Sequence, residues 1–144
     1  MKRHSVLTPL SREHHEALIL SRLIQIGAPL YKGLPKVPTE KAKYAANLFT
    51  SKLKIHFLVE EKMLDELGAK NDALQNLFNE IRSEHISLEL KFQQLKQEND
   101  LVQNLDELGK ELEAHIRKEE RILFELLQEN YTDEELDKLK TIIH

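Results

Sequence analysis

The sequence predicts an all-α protein: an up-down-up-down four-helix bundle with a short additional C-terminal helix. Three observations carry this. Only four Gly and four Pro occur in 144 residues, against abundant Leu, Glu and Lys, and that composition favours long helices. Four stretches carry apolar residues at helical spacing, so each has one face to bury. The connections between them are mostly short, which makes consecutive helices antiparallel neighbours. A chain of this length with 40% hydrophobic residues suits a single domain over 1–144 with one core.

The first helix is expected over about 9–26, with Thr8 as N-cap, Pro9 at the first helical position and Gly27 as the stop. Residues 28–38 hold three of the four prolines and form the one long loop. Thr39 is the expected cap of a second helix over about 40–67, which Gly68 ends. Asn71 caps a third over about 72–97, with Leu74, Phe78, Ile81, His85, Leu88, Phe92 and Leu95 along it, before a polar break at Glu98, Asn99 and Asp100. The fourth runs over about 101–129 and tolerates Gly109 at about 1 kcal/mol relative to Ala. Thr132 and Glu135 form a capping box for a terminal helix over about 133–143. Its Leu136, Leu139 and Ile143 form a lid on the end of the bundle.

The net charge of −4, with acidic and basic residues interspersed, gives no nucleic-acid footprint. No Cys is present, which removes disulfides, thiolate metal sites and cysteine nucleophiles. The basic start Met1-Lys2-Arg3-His4 is followed by no long apolar run, so neither a signal peptide nor a membrane span is expected. The expected location is the cytoplasm.

One motif occurs twice: His56-x-x-x-Glu60-Glu61 in the second helix and His115-x-x-x-Glu119-Glu120 in the fourth. Residues four apart stack on one side of a helix, so each His and its first Glu form a pair. The inward stripe of the first helix reads Leu7, Leu10, His14, Ala17, Leu18 and Ile24; that of the second reads Phe49, Leu53, His56, Glu60, Met63 and Leu67. The fourth reads Leu105, Leu108, Leu112, His115, Glu119, Ile122 and Leu126. Each His and each first Glu stands where a Leu is expected, whereas Glu61 and Glu120 fall one step round toward solvent. His15 shares a face with Ser11, Arg12 and Arg22, so His14 is the inward member of that pair. His4 and His144, near the termini, are expected to be solvated.

Four imidazoles and two carboxylates at mid-length of a core need a partner. A bare buried carboxylate costs several kcal/mol, and no Lys or Arg lies on the inward stripes near the glutamates. A cation is the simplest partner. Imidazole with carboxylate suits iron, manganese, zinc or copper rather than calcium or magnesium. Six ligands exceed one zinc ion and suit two metals bridged by two carboxylates. The repeat supports this: Glu13-His14-x-x-Ala17 matches Glu84-His85-x-x-Leu88, so each of two helical hairpins offers two His and one Glu to a symmetric dinuclear site.

From Leu10 to about Leu127, these motifs resemble those of the hemerythrin-like, or HHE cation-binding, domains. The resemblance implies a four-helix bundle holding two carboxylate-bridged, non-haem iron ions, with manganese or zinc as substitutes. By motif position, His14 and His56 would be the terminal ligands of one iron and His85 and His115 of the other, with Glu60 and Glu119 bridging. Oxygen-carrying hemerythrins have a second His four residues after that of the third helix, where this chain has Glu89. They also have His-x-x-x-x-Asp in the last helix, where this chain has His-x-x-x-Glu. The six-ligand pattern is closer to bacterial hemerythrin-like proteins implicated in nitric oxide, oxygen or iron responses. The expected function is binding or sensing of a small diatomic ligand or oxidant such as dioxygen, nitric oxide or peroxide. The alternatives are a di-iron enzyme consuming peroxide or nitric oxide, and iron storage without turnover. Glu13, Glu84, Glu89 and His15 stand close by as supporting or substitute ligands, though Glu89, on a helix flank, is expected to be solvated.

Overall fold

The computed structural model describes residues 2–95 and 99–144, and among these every regular element is helical. Helix α1 is Thr8–Leu23. Helix α2, residues 38–67, is continuous but contains a π-helical turn, Phe49–Leu53, between Pro38–Leu48 and Lys54–Leu67. Helix α3 is Asp72–Gln94. Helix α4, residues 101–130, contains a second π-helical turn, Glu119–Leu123, between Leu101–Lys118 and Phe124–Asn130. Helix α5, Asp133–Asp137, runs into the 3-10 turn Lys138–Thr141.

Cross-helix pairs fix the directions. Glu13 meets His56 while Glu16 meets Lys52; Asp65 meets Arg82 while Glu61 meets His85; Glu80 meets Lys118 while Ser87 meets Glu111. In each case numbers rise on one helix as they fall on the next, so consecutive helices are antiparallel. Helix α4 returns antiparallel to α1, with Ser11 on Glu120 and Gln25 on Glu113. The bundle is therefore up-down-up-down, and α1 lies longest against α4.

Several helix ends differ from the sequence expectation. Thr8 is the first helical residue rather than the cap: the chain from His4 already turns, with Leu7 N–H on His4 O at 3.0 Å. Helix α1 stops at Leu23, short of Ile26, because the Ile26 N–H is taken by Asp106 Oδ1 at 2.8 Å. Helix α2 begins at Pro38, whose fixed φ suits the first helical position, and Val37 rather than Thr39 is its N-cap. Asn71 does cap α3, accepting from Leu74 N–H at 2.9 Å, and Thr132 and Glu135 form the capping box of α5. Gly68 ends α2 at φ 65, a region disfavoured for residues with a Cβ. The expected continuation of the third helix through Lys96 and Gln97, and Glu98 of the polar break, lie outside the described residues.

The core falls into two apolar clusters. One gathers Leu7, Leu10, Met63, Leu64, Phe78, Ile81, Leu123, Phe124 and Leu127 with Leu136, Leu139 and Ile143 of the terminal segment, so α5 and its 3-10 turn seal that end. The other gathers Ala17, Leu20, Leu53, Phe57, Leu88, Phe92, Leu108, Leu112 and Ile116. Between them lies a layer of buried polar residues. Ile122 corrects the expected inward stripe of α4: it is 47% exposed, and Leu123 and Phe124 are buried instead. The cause is the π-helical turn, whose wider i→i+5 bonding adds a residue to the turn and slips the inward positions by one.

Gly109 sits in α4 where a Cβ would strike the Ser21 carbonyl oxygen of α1, with Gln25 and Ile24 side-chain carbons at 2.8 and 2.9 Å. It is a point of close approach between the two helices, not merely a tolerated residue. His4 is also not solvated as expected: its side chain is 15% exposed, its Nδ1 accepts from Val6 N–H, and its Nε2 faces Asp133 and Asp137. None of the described helices is long and apolar enough to cross a membrane.

Candidate metal centre

The polar layer takes one or two residues from each long helix. His14 comes from α1, His56 and Glu60 from α2, His85 from α3, and His115 and Glu119 from α4, and all six are at most 3% exposed. Helical spacing points each His and its Glu the same way. In both hairpins the preceding and following inward residues are Leu, Ile, Ala, Phe or Met, which carry the polar layer into the centre of the core.

The six side chains converge. His14, His56, Glu60 and Glu119 offer ligand atoms all within 4.8 Å of one another, and so do Glu60, His85, His115 and Glu119. The two groups share both glutamates. Glu60 Oε2 lies 3.0 Å from His56 Nε2 and 3.2 Å from His14 Nε2, while its Oε1 lies 3.1 Å from His85 Nε2. Glu119 Oε1 lies 3.1 Å from His115 Nε2 and 3.2 Å from His14 Nε2. Close distances are not all hydrogen bonds: His56 Nε2, His115 Nε2 and both Glu119 oxygens are buried without a well-aligned hydrogen-bond partner. Such groups are costly unless something else satisfies them. Imidazole nitrogens and carboxylate oxygens aimed at common points are the donor set of a transition metal, so the residues present fit cations there.

A second tier was only partly foreseen. Each of the four imidazoles presents Nε2 inward and sets Nδ1 against a carboxylate: His14 on Glu120 at 3.0 Å, His56 on Glu13 at 3.1 Å, His85 on Glu61 at 2.9 Å and His115 on Glu84 at 2.6 Å. Glu13 and Glu84 act within their hairpins; Glu61 and Glu120 cross between hairpins. The last two were expected in solvent, yet they are 35% and 27% exposed because helix crossing brings the neighbouring imidazole to them. The doubled Glu of each motif was the available signal, with the second Glu serving the other hairpin. Ser11 donates to Glu120 at 2.8 Å, and Lys118 to Glu84 at 2.7 Å, which hold those carboxylates in place. Glu89 pairs with Lys54 at 3.7 Å and His15 is exposed, and neither belongs to the two ligand groups.

The electrostatics follow from this geometry. Burial lowers the proton affinity of His56, but the Glu60 charge beside its Nε2 and the hydrogen bond to Glu13 outweigh it and raise its pKa to about 9. Burial likewise opposes protonation of His115, and the Glu119 charge beside its Nε2 with the hydrogen bond to Glu84 raises it to about 10. His14 is raised well above its ordinary value: burial is outweighed by Glu119, Glu120 and Glu60. Glu60 is held well below the usual carboxylate range, since the pull of His56, His14 and His85 exceeds its own burial cost. The neighbouring carboxylates thus favour protons on His14, His56 and His115. A metal ion competes with those protons for the same lone pairs.

Two aromatic rings shield the layer. Phe57 stacks on His85 with centroids 4.2 Å apart, and Phe124 lies parallel to His14 at 5.6 Å. A cleft of about 30 Å³ reaches His56 between α1 and α2, and one of about 60 Å³ reaches His85 between α2 and α3.

The fold and this layer together define a helical-bundle protein with a buried His/Glu cluster compatible with metal binding. The family model described as the hemerythrin HHE cation binding domain matches residues 5–127, and the chain belongs to that family. No curated protein and no solved structure gives a match.

Proposed function

We propose that this chain is a non-haem di-iron protein that binds or senses a small diatomic ligand or oxidant. The cytoplasmic setting is part of the same proposal. The observation that carries it is the pair of overlapping four-residue groups, His14, His56, Glu60, Glu119 and Glu60, His85, His115, Glu119, each with ligand atoms close enough to hold an ion and sharing both carboxylates. Iron held by these residues would supply a redox-active Lewis acid. The chain's own part is to hold each imidazole by its Nδ1 so that Nε2 faces inward, and to exclude water with Phe57 and Phe124. Manganese and zinc suit the same donors as substitutes. The scale of the approaches supports a small ligand: clefts of about 30 and 60 Å³ are far below the roughly 300–1,000 Å³ of organic-ligand pockets.

Metal analysis tests the reading. Purified protein loaded with ferrous iron is expected to retain close to two irons per chain, and His56→Ala to lose iron and thermal stability together. Unchanged iron content in His56→Ala would remove His56 from the ligand set. Exposure of the reduced protein to dioxygen or peroxide then separates binder from enzyme: a stable, reversible spectrum marks binding, and continuing loss of oxidant marks turnover.

A further inference from the structure

The internal repeat lets the two hairpins be compared position by position. His14 corresponds to His85 and His56 to His115, so Ala17 corresponds to Leu88, Glu16 to Ser87 and Lys52 to Glu111. Between α3 and α4 this position is filled. Leu88 is fully buried, the Ser87 hydroxyl donates to Glu111 Oε1 at 2.7 Å, and Lys91 closes on the other Glu111 oxygen.

Between α1 and α2 it is open. A single methyl group stands where Leu88 has its branched side chain, and the cleft of about 30 Å³ lies there, with Ala17, Leu53 and His56 at its buried end. That is room for one water-sized molecule, which needs about 10–15 Å³. At the exposed end Lys52 Nζ donates to both Glu16 oxygens, at 3.0 and 3.1 Å. Those side chains are 61% and 44% exposed, and an ion pair in that setting is weak and opens readily. Lys52 and Leu53 of the α2 wall belong to the π-helical turn Phe49–Leu53, an irregularity that recurs at functional sites. The other cleft differs nearer the centre: the Phe57 ring lies flat on His85 with centroids 4.2 Å apart, whereas it meets His56 only edge-on at 6.1 Å.

We propose that the α1–α2 cleft is the way by which a small ligand reaches the centre, with Ala17 setting its bore and the Glu16–Lys52 pair its latch. This rests on the di-iron reading. The test is the association rate of nitric oxide, an uncharged probe, with the reduced iron-loaded protein, after iron content has been measured. Ala17→Leu, which installs the side chain of the closed hairpin, is expected to slow association at least tenfold at unchanged iron content. Ala17→Val serves the same purpose if the larger residue impairs loading, and Lys52→Ala, on the surface, is expected to quicken association several-fold. Ile86→Phe, at the cleft over His85, is expected to leave the rate unchanged. Equal rates in the Ala17 and Lys52 variants, or slowing by Ile86→Phe alone, overturn the route while the di-iron reading stands. A wild-type chain that holds no iron overturns both.

Discussion

The four carboxylates outside the buried His/Glu layer are the residues whose work is least apparent from their exposure. A carboxylate on Nδ1 fixes the tautomer and makes Nε2 a better donor, and loss of such a partner typically costs roughly 10–100-fold in metal affinity. Glu120→Ala is therefore expected to weaken metal binding by about that factor, with Glu120→Gln, which keeps an acceptor for His14, retaining most of the affinity. Chelator competition with cobalt or iron reads this directly; equal affinities in all three proteins would reduce Glu120 to a surface residue. The raised imidazole pKa values predict a pH dependence of the metal-free protein. His56 at about 9 and His115 at about 10 bind protons more tightly folded than unfolded, where the ordinary value is 6.5. Their contribution is complete below about pH 6.5 and is lost as pH rises through about 9–10. Chelator-treated protein is thus expected to melt at progressively lower temperature between pH 7 and 10.5, and a melting point that rises across this range would contradict the pairing.

At the scale of the element, the two π-helical turns decide which residues of α2 and α4 face inward. They stand differently in the two hairpins, before His56 in α2 and after His115 in α4, so the hairpins are alike at the buried His/Glu layer and differ beyond it. Simple helical periodicity carries the α4 stripe correctly through Glu119 and then mistakes Ile122 for a core residue. The expected consequence is measurable: Leu123→Ala should destabilise by about 2–5 kcal/mol and Ile122→Ala by no more than about 0.5 kcal/mol in urea unfolding. A larger loss at Ile122 would put the turn elsewhere. Gly109 makes the same point by contrast. Helix propensity favours Ala there by about 1 kcal/mol, yet a methyl group would meet the Ser21 carbonyl oxygen, so Gly109→Ala is expected to lower stability by about 1–3 kcal/mol. A stabilised variant would mean that α1 and α4 can part without loss.

For the whole molecule, the polar layer divides the core, so the bundle is pinned at its middle by whatever satisfies that layer. Every long helix contributes to it, and metal binding is therefore expected to stabilise the fold as a unit. At a free metal concentration about 1,000-fold above Kd the gain is about 4 kcal/mol, or roughly 10 °C in Tm for a chain of this size. Calorimetry with and without chelator checks it; a Tm indifferent to metal would separate the layer from cation binding. The sequence by itself determined the helical class, the two-hairpin repeat, and the inward place of His14, His56, Glu60, His85, His115 and Glu119. Each of those rests on periodicity within one helix, which local spacing expresses. Only the tertiary structure decided that Glu61 and Glu120 reach imidazoles of the opposite hairpin, that His4 is tied to α5, and that Gly109 is a contact point. Those depend on how far one helix stands from another and how it is turned, and no spacing along a single chain segment encodes that distance.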